Sequence, residues 1–150
     1  MKAILTDDLR DFINLLIKYE VKFLICGGHA VGFHGYPRLT MDFDLLLNPT
    51  EESANRIMKV LQEFGFGEAG IKREVFLQEG TAITLGVQPN QIDLLTSVSK
   101  VATHDIFKNA VNGKLEEFDV LYISKDDLIK CKKAAGRAKD LADVEELEKI

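Results

Sequence analysis

Apolar residues at Leu9, Phe12, Ile13, Leu16 and Ile17 recur at the spacing of one helical face, behind the acids Asp7 and Asp8. That pattern, with negative charge at its start, predicts an amphipathic helix over residues 7–19. The pattern then shortens. Residues 21–26 form an apolar run closed by Gly27-Gly28, and residues 29–34 lead to Gly35-Tyr36-Pro37. These predict a strand, a glycine turn and a short helix. Residues 41–47 make a second apolar run, interrupted only by Asp42 and Asp44 and closed by Asn48-Pro49. Thr50 is placed to cap a following helix that carries Ala54, Ile57, Met58, Leu61 and Phe64.

Three apolar segments follow: Val75-Phe76-Leu77, Ala82-Ile83-Thr84-Leu85 and Ile92-Asp93-Leu94-Leu95. Separated by Glu79-Gly80 and Gln88-Pro89-Asn90, they predict neighbouring antiparallel strands. A helix is expected near residues 102–109, then a strand ending in Val120-Leu121-Tyr122-Ile123. Ser124, with Asp127 three residues on, marks another helix start. The remainder reads as helical, broken or bent at Gly136. Phe12, Phe23, Phe64, Phe66, Phe76 and Phe107 are the aromatic core candidates. The resulting class is α+β, a mixed sheet flanked by helices with a helical C-terminus.

Composition narrows the setting. A chain of 150 residues, 46% hydrophobic and 29% charged, is sized for one domain spanning 1–150. No apolar stretch approaches the roughly 20 residues of a membrane span, and residues 1–10 lack a basic-then-apolar leader. Cys26 and Cys131 show neither disulfide nor zinc spacing and read as reduced thiols; with neither a signal nor a span in the pattern, a cytoplasmic protein with no membrane partner is expected. A net charge of −5 argues against broad coating of nucleic acid. Positive charge is nevertheless concentrated at Lys130, Lys132, Lys133, Arg137 and Lys139, with no acid before Asp140. That stretch suits a solvated helix face or an anion-contacting one.

The chemistry resides in acids set among apolar residues. Period-two alternation puts Asp42 and Asp44 on one face of their strand and Phe43 and Leu45 on the other. Neighbouring carboxylates raise each other's pKa unless a cation lies between them, and a hard divalent ion that also binds phosphate oxygen is a natural partner. Taken alone, the pair also fits a solvent-facing strand that carries two acids. Asp93, in Gln91-Ile92-Asp93-Leu94-Leu95, is a third carboxylate of the same kind, and two-metal chemistry needs about three on adjacent strands. Gly27-Gly28, between a strand and a helix, offers backbone amides to a phosphate, although a glycine pair is more often simply a turn.

The combination of Gly27-Gly28, a short spacer helix, Asp42-Phe43-Asp44 and a later Asp93 resembles the polymerase β-like nucleotidyltransferase superfamily. The stretch from Gly27-Gly28-His29-Ala30-Val31 through Gly35, Arg38 and Thr40 to Asp42 is similar to small enzymes that nucleotidylate lincosamide or aminoglycoside antibiotics. Lys139-Asp140-Leu141-Ala142-Asp143 is similar to the nucleotidyltransferase toxins of type IV abortive-infection systems. The resemblance implies the polymerase β-like fold and Mg²⁺-dependent transfer of a nucleoside monophosphate from a nucleoside triphosphate, with Mn²⁺ as an alternative ion. The hydroxyl acceptor would be a small molecule or an RNA 3′ end. It assigns Asp42, Asp44 and Asp93 as catalytic metal ligands and Gly27, Gly28, Arg38 and Lys139 as nucleotide-binding residues. One departure is Gly28, where many members carry serine, so a hydroxyl is missing there.

Arg38, in the turn before the paired acids, suits phosphate or acceptor as well as a surface role. His29 follows the glycine pair as a nucleotide contact or a structural residue. His34 and His104 have no partner spacing, and Asp140 and Asp143 are expected to anchor the last helix. A non-catalytic nucleotide-binding module, or half of a toxin–antitoxin pair with a protein partner, is the alternative to the enzyme.

Overall fold

The computed structural model describes residues 5–150; residues 1–4 of the stretch read for a leader lie outside the described residues. Helix α1 (Asp7–Lys18) starts where the Thr6 hydroxyl accepts the Leu9 N–H, and it buries Leu9, Phe12, Ile13 and Leu16. β1 (Phe23–Cys26) is buried throughout. Helix α2 (Gly27–Phe33) begins on the glycine pair itself, two residues earlier than the pattern suggested. β2 (Asp42–Leu47) precedes α3 (Glu51–Leu61), whose cap is Thr50 accepting the Ser53 N–H.

The predicted segment Val75-Phe76-Leu77 is not a strand. Residues Arg73–Leu77 form a 3₁₀ turn packed on α3, with Phe76 buried beneath it. Three apolar residues cannot distinguish a strand from a turn by periodicity, and burial of Phe76 decides for the turn. The antiparallel pair expected beyond it is present as β3 (Ala82–Leu85) and β4 (Gln91–Leu95). After α4 (Thr103–Asn109), β5 (Val111–Leu115) pairs antiparallel with β6 (Phe118–Tyr122). The sequence pattern does not predict β5, because Val-Asn-Gly-Lys-Leu has too few apolar residues to read as a strand.

The sheet runs β3-β4-β2-β1-β6-β5. β1 is antiparallel to β2, whereas β2–β4 and β1–β6 are parallel pairs. Phe43 and Leu45 are fully buried on one face of β2. On the opposite face Asp42 and Asp44 precede Leu46, also fully buried, so the acids lie where a core face runs out to solvent. α2 packs on β1 and β2 and reaches α5 (Lys125–Ala135). Gly136, left-handed at φ 68°, ends α5 and lets α6 (Ala138–Glu148) pack back on it. Phe12, Phe23, Phe76 and Phe107 are core residues, while Phe64 and Phe66 are only partly buried at its margin. No helix among the described residues is long and apolar enough to cross a membrane.

Candidate functional site

The parallel pairing of β2 with β4 sets Asp44 opposite Asp93 and Asp42 opposite Gln91. Asp42, Asp44 and Asp93 are all half-buried, and an oxygen from each lies within 4.8 Å of the others. Burial, a hydrogen bond with Asp93, and the charges of Asp42 and Asp93 push the Asp44 carboxyl up to about 7, with Lys132 pulling weakly the other way. While protonated, Asp44 is the donor of that hydrogen bond to Asp93. Asp93 is also held from the side: Thr84 Oγ1 donates to its Oδ1 at 2.8 Å, and Gln91 Nε2 donates to both oxygens at 3.2 and 3.3 Å. Three convergent carboxylates, one of them with a raised proton affinity, are a hard-oxygen donor set suited to Mg²⁺ or Mn²⁺.

The glycine pair meets this cluster directly. Gly27 has φ +67°, and a Cβ built on it would overlap Asp44 Oδ2. Only glycine allows both that backbone and that approach. A Cβ on Gly28 would stand 2.7 Å from Thr40 Oγ1 and 3.7 Å from the Arg38 guanidinium. The Thr40 hydroxyl thus occupies the space a serine side chain would need, which gives the departure at Gly28 a steric basis.

Beside the triad lies a second charge cluster. Asp140 and Asp143 are 2% and 4% exposed on α6. Arg38 makes a two-pronged contact with Asp143 at 3.1 and 2.8 Å. Lys132 Nζ lies 3.0 Å from Asp143 and 3.5 Å from Asp140, and Arg137 Nε donates to Asp140 at 2.6 Å. Burial works to raise the Asp140 pKa, but the hydrogen bond from Arg137 and the charges of Lys132 and Arg137 outweigh it, and the carboxyl falls below its ordinary value. The Arg137 and Lys132 charges are felt at Asp44, so this cationic group borders the acids.

The basic stretch read from sequence therefore divides. Lys132 and Arg137 turn to the buried acids, Lys133 pairs with Glu148 at 3.7 Å, and Lys130 and Lys139 are exposed with no ion pair among the described residues. The sequence assigns Thr84 and Gln91 no site role, includes Thr40 only within the motif before Asp42, and offers Lys132 and Arg137 only as members of the basic stretch. One signal was available: Asp140, Asp143, Val144 and Leu147 lie at helical spacing on the buried face of α6, and two acids on such a face demand cations. His29 packs edge-on to Phe43 at 4.9 Å; burial lowers its pKa although Asp42 opposes this, and its Nδ1 is buried without a partner. His34 Nε2 lies 2.7 Å from the Ile123 carbonyl oxygen. Burial first, and then Asp44, holds the Cys26 thiol well above its ordinary pKa, so it stays protonated.

No family model and no curated protein matches the chain. Among solved structures, it is similar to the lincosamide antibiotic adenylyltransferase LnuA in its lincomycin-bound crystal structure. The TM-score is 0.62 and the identity 13%, with 97% of each chain covered. This likeness shows the polymerase β-like nucleotidyltransferase fold, in a protein of nearly the same length.

Proposed function

We propose that this chain is a divalent-metal-dependent nucleotidyltransferase, a single domain over residues 1–150, that moves a nucleoside monophosphate from a nucleoside triphosphate to a hydroxyl. The observation that carries the reading is the convergence of Asp42, Asp44 and Asp93, which make no ion pair among the described residues, beside a group of fixed cations. Mg²⁺, or Mn²⁺, fits the three carboxylates. Bound there, it supplies positive charge to the phosphate oxygens and makes an acceptor hydroxyl more acidic.

Asp42 and Asp44 hold the nucleotide side of that site. Asp93, fixed by Thr84 and Gln91, faces the acceptor and takes the hydroxyl proton. The acceptor oxygen bonds to the α-phosphorus as the bond to the pyrophosphate oxygen breaks, and pyrophosphate leaves. Gly27 and Gly28 contribute close-approaching amides to the phosphates. α2 has only seven residues, so most of the positive charge must come from Arg38, Lys132 and Arg137, with Lys139 reaching in from the first turn of α6. Asp140 and Asp143, within the stretch similar to the abortive-infection toxins, hold those cations in place. The buried, protonated thiols suit a cytoplasmic setting.

The test is twofold. ATP-dependent Mn²⁺ binding should be seen by electron paramagnetic resonance, and α-labelled nucleotide should transfer to an acceptor pool with release of pyrophosphate. Nucleotide binding without any transfer would establish the non-catalytic module; absence of both would remove the nucleotide reading.

A further inference from the structure

A groove of about 610 Å³ lies between α1, the π-helical turn Gln62–Phe66 that follows α3, and the β3–β4 hairpin. Its Leu85 pairs with Ile92, which pairs in turn with Phe43, so the groove opens on the sheet face opposite Asp42, Asp44 and Asp93. It is separate from the acid cluster. One wall is aromatic: Phe12, fully buried, meets Phe64 edge-on at 4.9 Å, and Phe64 stacks on Phe66 at 5.8 Å. Two residues apart on a regular helix, Phe64 and Phe66 would point nearly opposite ways. Gly65, at φ 100°, breaks the helix between them and brings both rings to the groove.

The facing wall is acidic. Asp8 and Asp11 stand three residues apart on α1, neighbours on one helix face, and neither makes an ion pair among the described residues. Asp8 belongs to the first turn, where it answers the helix dipole, but Asp11 lies one turn further on. Glu63, at the rim, is already held by Lys18 at 2.8 Å and by the Tyr19 hydroxyl. The side-chain cations that lie over aromatic rings among the described residues sit on Phe118, Tyr19 and Phe107, which leaves Phe64 and Phe66 without one. Asn90 lines the same groove, and its side-chain oxygen is shielded from water with no hydrogen-bond partner. A rotation of that amide offers the oxygen to a donor in the groove.

We propose that the groove is a second binding site, for a small planar organic cation: an amidinium or guanidinium carried on an apolar body. The flat cation stacks on Phe66 while its N–H groups face Asp8, Asp11 and Asn90, and the apolar body lies along Leu15 and Leu85. A point ammonium leaves the stacked rings unused, and a neutral ring leaves the two carboxylates uncompensated. The volume is that of a small-molecule site.

Benzamidine is titrated into the metal-free protein and followed by amide chemical-shift changes, beside benzamide, its neutral counterpart, and benzylamine, its point-ammonium counterpart. Benzamidine is expected to bind with a Kd of about 1 mM, and the other two about fivefold more weakly. Asp11→Asn, at an exposed position, should weaken benzamidine about threefold and Phe66→Ala about tenfold, while Asp42→Asn, on the other sheet face, stays within about twofold. Equal binding of benzamide would make the groove merely apolar, and equal binding of benzylamine would remove the need for a flat cation; either overturns the proposal. So does the absence of saturable shifts up to about 10 mM. A benzamidine signal lost in Asp42→Asn but kept in Asp11→Asn and Phe66→Ala would put the cation on the acid triad and overturn it equally.

Discussion

Asp140 and Asp143 are almost wholly buried, whereas Asp42, Asp44 and Asp93 are only half-buried, yet the deeper pair is electrostatically the more settled. Three cations from the 36–41 loop, α5 and the start of α6 surround the deeper acids, and Asp140 is correspondingly more acidic than usual. The strand acids have mainly each other, and Asp44 is shifted the opposite way, to about 7. Burial alone therefore says little about the use of a carboxylate. What separates a structural acid from a candidate ligand is whether the fold supplies its counter-charge.

The largest expected effects lie on the uncompensated side. Asp93→Asn should lower kcat by about a thousandfold, roughly 4 kcal/mol of transition-state stabilisation, while retaining much of the nucleotide affinity. Asp42→Asn should lose both turnover and nucleotide affinity. Calorimetry beside transfer rates measures the difference, and equal loss of affinity in both variants would show that Asp93 is not confined to the chemical step.

The compensated side should answer in stability. Asp143→Ala leaves Lys132 and Arg38 without their shared anion and is expected to cost about 3 kcal/mol in chemical denaturation. A neutral result would dissolve the contrast between the two clusters.

Asp44 should behave in the opposite sense. Its folded-state pKa, about 7, lies above the ordinary 3.8, so its favourable contribution is complete below pH 4 and is lost as pH rises through 7. In metal-free protein, Asp44→Asn preserves the donor to Asp93 and should be more stable than the parent at pH 8 by about 2 kcal/mol, with little difference at pH 4. Mn²⁺ with ATP should raise the melting temperature of the parent and not of the variant. A variant less stable than the parent at pH 8 would make Asp44 a structural residue.

The smallest effect is expected one step away from the acids. Thr84→Val removes the 2.8 Å hydrogen bond to Asp93 and should reduce kcat or Mn²⁺ affinity by about tenfold, with nucleotide affinity nearly unchanged. An unaltered Mn²⁺ titration and kcat would leave Gln91 as the sole positioning residue.

Much of this arrangement is legible in the chain because it is local. Alternation puts Asp42 and Asp44 on one strand face, and Thr50 and Ser124 cap helices in the structure as their positions predict. The register that sets Asp44 opposite Asp93 joins residues 49 positions apart, and no local period encodes it. The same holds for the contact of Arg38 with Asp143 across 105 positions. The recognisable motif points to Lys139, whereas the structure turns Lys132 and Arg137 toward the buried acids. The segment 75–77 failed for the converse reason: a local apolar pattern was present, but tertiary packing on α3 determined its shape.

Gly27 ties the start of a helix to the placement of a carboxylate, and this makes position 27 informative about ancestry. A descendant that acquired any side chain there would have to displace Asp44, even with all three acids still written in its gene. Intact aspartates with an altered residue 27 would therefore mark a lineage that has kept the scaffold and abandoned the site.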